Sequence, residues 1–199
     1  MKQIRYSMRV MTVLWLCASA LMLIFAQAAL SSPNSPSTRA AEAADHEHDF
    51  DFEFGTWRAH IHRLQHPLTG STAWADYEGS SIVRKVWGGR ANLGELDVSG
   101  SAGRIEGLSL RMYNPQTHQW AVSWASCRDG ALTPPLMGQF KAGRGEFYNA
   151  DTLDGKAIYA RFIFSGIETP TFKIEQAFSE DGGKTWETNW IAIFTRSSP

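Results

Sequence analysis

SEDGGKTW, residues 179–186, is the stretch on which the reading of the fold turns. Asp181 is placed to accept hydrogen bonds from backbone amides one or two residues on, and Gly182 and Gly183 supply the positive φ of a tight hairpin. Trp186 then enters the next strand as a large apolar anchor. The stretch is a turn between strands, and nothing in that chemistry requires a substrate.

The pattern Ser-x-Asp-x-Gly-x-Thr-Trp resembles the Asp-box of sialidase propellers, so glycan cleavage has to be weighed. A propeller repeats its blade at roughly 40 to 45 residues, and six blades need about 250. This chain has 199 residues and no second copy of the box. NPQTHQW (114–120) is another turn leading into a tryptophan, without the Ser-x-Asp or the glycines. The box is therefore expected to be a structural hairpin and not a catalytic element.

Outward from that hairpin, the N-terminus carries Lys2, Arg5 and Arg9 ahead of an uncharged apolar run that ends in Ala26-Gln27-Ala28. This is the layout of a signal peptide cleaved after Ala28, which places the protein in the periplasm or outside the cell. The alternative is an uncleaved anchor over Val10 to Leu30. Leu16 ahead of Cys17 argues against a lipoprotein site. Past residue 28 the chain keeps 16 of its 19 Lys+Arg against all 20 Asp+Glu, a formal charge of −4. Nucleic acid is not an expected partner, nor is the membrane once the leader is gone. Cys127 is then the one cysteine left, which excludes an internal disulfide and a cysteine-built zinc site. Residues 29–48, rich in Ala, Ser and Pro, read as a flexible linker, and 49–199 as one domain.

From Phe50 onward there is no sustained helical period, and short alternating runs separated by turn residues recur. GTWRAHIHRL (55–64), TAWADYEGSSIVRKVW (72–87, bent or broken at Gly79) and TFKIEQAFS (171–179) are the clearest of nine or ten strands. Sequential antiparallel strands at this spacing predict an all-β, up-and-down barrel, whose closure removes exposed edges. A two-sheet sandwich is the alternative.

Seven tryptophans follow residue 28. Trp120, Val122 and Trp124 alternate onto one strand face, and Trp186, Thr188 and Trp190 onto another. A barrel of this size has room for a small ligand behind aromatic walls, although tryptophans packed on one another fit the same pattern. The candidate ligand-binding residues are Trp120, Trp124, Tyr159, Arg161 and Trp190. Arg161 lies in line with Tyr159 and Ile163, opposite Ile158, Ala160, Phe162 and Phe164. It is either outward and ordinary, or an interior cation paired with an acidic ligand. Arg111 poses the same choice.

HDFDFEFGTW (48–57), GLSLRMYNPQTHQWAVSW (107–124) and SEDGGKTWETNWIAIFTR (179–196), in that order, resemble a family of secreted bacterial proteins classed as a domain of unknown function, with a lipocalin-like (calycin-type) barrel. Gly55-Thr56-Trp57 resembles the Gly-x-Trp that opens lipocalin barrels, where the tryptophan closes one end and an arginine from the last strand covers it. Arg196 stands in the matching place. The resemblance implies a barrel and brings no activity with it.

His60 and His62 share one strand face about 7 Å apart, a spacing that chelates a metal given a third ligand such as Glu53, but they fall opposite the apolar residues of the strand and so toward solvent. Glu95 and Asp97 alternate with Leu96 and Val98 in the manner of surface carboxylates. No cofactor motif is present. The sequence thus predicts an exported, non-catalytic barrel that binds a small apolar or aromatic molecule. Two alternatives remain at this stage: an isomerase, cyclase or hydratase using Arg161, Tyr159 and Glu95, or a structural envelope protein with a solid core.

Overall fold

The computed structural model describes residues 46–168 and 170–197. The leader expected at 1–28 and the linker expected at 29–48 lie outside these residues, apart from 46–48. Ten strands follow in chain order: β1 (Gly55–Leu64), β2 (Trp74–Val86), β3 (Ala91–Gly100), β4 (Gly103–Asn114), β5 (Gln119–Ser126), β6 (Leu136–Lys141), β7 (Arg144–Leu153), β8 (Lys156–Glu168), β9 (Thr171–Ser179) and β10 (Glu187–Arg196). Each pairs antiparallel with the next, and β1 pairs with β10, so the sheet closes into an up-and-down barrel. The sandwich is thereby excluded.

Alternation does the work of orienting side chains. In β1, Trp57, Ala59 and Ile61 are buried while Arg58 and His60 are exposed, as a strand with one wet face requires. β2 pairs continuously through Gly79, so the break weighed there does not occur. A Cβ on Gly79 would lie 2.1 Å from the Asp97 carbonyl oxygen, so the glycine serves close strand approach.

One end of the barrel is stoppered by the segment before β1. A short 3-10 helix, Asp51–Glu53, tucks Phe50 and Glu53 inside the barrel wall. Phe50 is fully buried, its ring 4.9 Å from those of Trp120 and Phe140, 5.1 Å from Phe164 and 5.7 Å from Phe147. The seam between first and last strands is locked at the same end. Arg196 donates from Nη1 to Phe54 O and from Nη2 to Phe52 O, each at 2.9 Å, and its guanidinium lies 4.2 Å over the Trp57 ring. Trp57 Nε1 in turn donates to Glu53 O at 2.6 Å. This is the arrangement that the likeness of Gly55-Thr56-Trp57 and Arg196 to lipocalins implied.

Up-and-down topology puts the β1–β2, β3–β4, β5–β6, β7–β8 and β9–β10 connections at the opposite, open end. SEDGGKTW forms the last of these. Asp181 Oδ1 accepts from Lys184 N (3.0 Å) and Thr185 N (2.9 Å), three and four residues on, a longer reach than the one or two expected. Its Oδ2 accepts from Thr185 Oγ1 at 2.7 Å. Gly182 and Gly183 adopt φ of 77° and 86°. These donors hold the Asp181 carboxyl well below the usual carboxylate range, Thr185 contributing most. The whole carboxylate is consumed by the turn.

Candidate ligand cavity

Above the aromatic stopper the barrel is hollow. A cavity of about 440 Å³ opens there, walled by Leu96, Val122, Trp124, Phe162, Ile174 and Trp190. The space exists partly because wall positions are small. Gly107 faces inward opposite Ser126, and an added Cβ would come within 2.2 Å of Trp124 Cζ2, so the indole is seated on bare backbone.

The five candidate residues separate cleanly. Trp124 and Trp190 line the cavity. Trp120 lies beneath it, fully buried against Phe50 and Tyr113, with Nε1 donating to His46 O at 2.9 Å. It belongs to the stopper, because β5 carries it one turn of the pleat closer to the closed end than Val122. Tyr159 is 46% exposed and Arg161 sits on the same outer face, its guanidinium 4.5 Å over the Trp186 ring. Neither lines the cavity: Ile158, Ala160 and Phe164 take the inward parity of β8, and Arg161, outward as one of its two expected placements, spends its charge on an exterior ring.

The expected common face of Trp186, Thr188 and Trp190 is likewise broken. β10 has a register shift between Thr188 and Trp190, which inserts Asn189 as an extra residue. Trp186 consequently packs outside, 6.0 Å from Tyr148, while Trp190 points in.

The histidines and Glu53 part company too. His60 Nδ1 pairs with Glu78 Oε1 at 2.5 Å and His62 Nδ1 with Asp76 Oδ1 at 2.8 Å on the outer face. Glu53 is 1% exposed inside the stopper. Glu95 is exposed and paired with Arg84, and Asp97 takes a bidentate contact from Arg104 at 2.8 Å twice.

What the sequence left open is Arg111, and the structure brings it inside. Arg111 Nη1 lies 3.0 Å from Glu53 Oε2 and donates to Asn92 Oδ1 at 3.0 Å. The guanidinium also faces the Phe50 ring at 5.3 Å and the Phe164 ring at 5.7 Å. Burial outweighs the mutual attraction on both sides of the pair. The Glu53 carboxyl is pushed up to about 7 despite the pull of Arg111, and Arg111 is pushed down despite Glu53. Arg111 and Ser109 are among the polar residues of a mixed lining, which also holds Gln176 and Ser123 and the charged Arg63, Glu95, Arg104 and Arg128. Glu53 and Asn92 were missed as interior groups because each sits among residues that alternate as a surface strand would.

No protein-family model matches the sequence, and no curated protein matches it. Among solved structures, the chain is similar to EF1p2_mFAP2b, a structure bound to DFHBI, at 10% identity, covering 76% of this chain and 99% of that one, with a TM-score of 0.42. It is also similar to Rv2717c from M. tuberculosis, at 12% identity, covering 82% and 99%, with a TM-score of 0.49. The closed, antiparallel up-and-down barrel stands on the strand pairing itself.

Proposed function

We propose that this chain is an exported, non-catalytic binding protein that holds a small apolar or aromatic molecule in its barrel. The observation that carries the reading is the 440 Å³ cavity with Trp124, Trp190 and Phe162 in its wall. Ligand pockets span a few hundred Å³, and here aromatic and aliphatic walls stand beside polar and charged residues that can fix a ligand's orientation. The charged start and apolar run of residues 1–28 support export. The catalytic alternative drew on Arg161, Tyr159 and Glu95. Arg161 is stacked on Trp186, Tyr159 is exposed, and Glu95 is paired with Arg84, so they form no common site.

The test is titration with N-phenyl-1-naphthylamine, an uncharged dye that brightens in apolar surroundings. Saturable binding at roughly micromolar affinity is expected. Trp124→Ala should weaken it severalfold while the circular dichroism of the barrel is unchanged, since no ladder hydrogen bond is touched. Absence of saturation, or a Trp124→Ala barrel that unfolds, would show that the tryptophan belongs to a solid core.

A further inference from the structure

The polar end of the cavity has a definite chemistry. Arg111 reaches it from β4, two residues along the same face from Ser109, which also lines the cavity. One guanidinium nitrogen, Nη1, is engaged by both Glu53 and Asn92, whereas buried Nε has no hydrogen-bond partner among the described residues. A buried N–H left this way is destabilising, so a ligand oxygen that supplies the missing acceptor is favoured. A Cβ on Gly94 would stand 2.7 Å from Ser109 Oγ and 3.3 Å from Arg111 Nη1, so the bare glycine lets both groups pack closely over the β3 backbone.

We propose that the cavity takes a small aromatic or aliphatic carboxylic acid, carboxylate first, onto Arg111 and the Ser109 hydroxyl, with Glu53 taking up a proton as the ligand's carboxylate replaces its own as counter-ion. This rests on the binding reading above. It follows from charge balance. One guanidinium cannot stabilise two buried carboxylates in a low-dielectric site, and the one that gives way is the one already disposed to protonate. Burial has pushed Glu53 to about 7. An ordinary ligand acid, with a pKa of about 4, stays ionised. Around the pair, Arg111 is the charge acting on Glu53. β3 contributes uncharged Asn92, and β8 and the stopper contribute the Phe164 and Phe50 rings. Two residues along β4, Tyr113 has its phenol pushed up by burial and so remains protonated through neutral pH.

The experiment compares 2-naphthoate with 2-naphthamide, equal in shape and different in charge, by isothermal titration calorimetry in buffers of differing ionisation enthalpy. Below about pH 7 the acid should bind roughly ten- to a hundredfold tighter than the amide, as a charge-assisted hydrogen bond implies. Above about pH 7 its Kd should rise about tenfold per pH unit, with close to one proton taken up, while the amide's Kd stays flat. Glu53→Gln should abolish the proton uptake. The paired variant Glu53→Gln with Arg111→Met, which leaves no unmatched buried charge, should keep amide binding and lose the preference for the acid. If the amide binds and the acid binds no better, or without proton uptake, this inference falls and the cavity reading stands. If neither probe binds, both fall.

Discussion

Phe50→Ala tests whether the segment before β1 is part of the core or a loose flap. The ring is fully buried and has four aromatic partners at centroid distances of 4.9 to 5.7 Å. Burying a phenylalanine side chain contributes about 1.5–3 kcal/mol from transfer alone. Each edge-on or tilted ring pair adds about 0.5–1.5 kcal/mol in isolation, though such terms do not sum fully. Surrounding rings held on separate strands close poorly over the void. The loss should therefore fall in the upper part of the range seen for such truncations, about 4 kcal/mol. In urea denaturation followed by fluorescence and circular dichroism, with a slope of about 2 kcal/mol/M, the midpoint should drop by about 2 M at unchanged slope. A loss below about 1.5 kcal/mol would refute the account, since it would mean the stopper rests on the barrel without being packed into it.

Three more outcomes are expected. Glu53 is buried with its carboxyl at about 7 against an ordinary 4.5, so between those values the native state binds more protons than the unfolded one. Its contribution to stability is fully present below the lower value and is lost as pH rises through the upper one. Urea midpoints of the wild type should fall between about pH 5 and about pH 8, and Glu53→Gln should shrink that fall. Asp181→Ala should lower the melting temperature, by removing the acceptor of Lys184 N and Thr185 N, yet leave dye affinity unchanged, because the Asp181 carboxylate is spent within the turn. Because Asp181 is depressed and not raised, its share of stability should disappear on the acid side, below the ordinary aspartate value. Gly107→Ala should push Trp124 off its seat, costing about 1–3 kcal/mol by overpacking and reducing dye binding.

The strands were legible because turn chemistry and alternation act locally. GTWRAHIHRL and TFKIEQAFS, read from alternation alone, have the same bounds as β1 and β9. Inside and outside were harder to tell, because this barrel wears apolar residues on both faces. Leu108 and Met112 are each 41% exposed on β4 while Arg111 between them is buried, the reverse of what polarity suggests. On β10 a single extra residue at Asn189 reversed the parity of the tryptophans on its two sides. Phe50, Asp51, Phe52, Glu53 and Phe54 alternate like a strand, yet Asp51–Glu53 winds as a 3-10 helix. That winding turned a glutamate that the sequence offered as a third ligand beside His60 and His62 into the partner of Arg111. Such reversals come from tertiary pairing, which no local pattern encodes.

The pairing of β1 with β10 also fixes the order in which the molecule can be finished. Every other hydrogen-bonded neighbour is the next strand along, so a growing sheet of nine strands can assemble from short-range hairpins. The ring cannot shut until Glu187–Arg196 arrives to bridge from β9 back to β1, with Thr195 settling opposite Arg58 and Arg196 opposite Trp57. That last contact spans nearly the whole domain, and long-range closures of this kind place all-β folds among the slower two-state folders, at milliseconds to seconds. Until then both β1 and β9 offer unpaired backbone along an open edge, to which other chains can add. The Arg196 clasp over Trp57 is thus a latch on the final step of folding, and loosening it should show first as a longer-lived open sheet, measurable as aggregation during refolding.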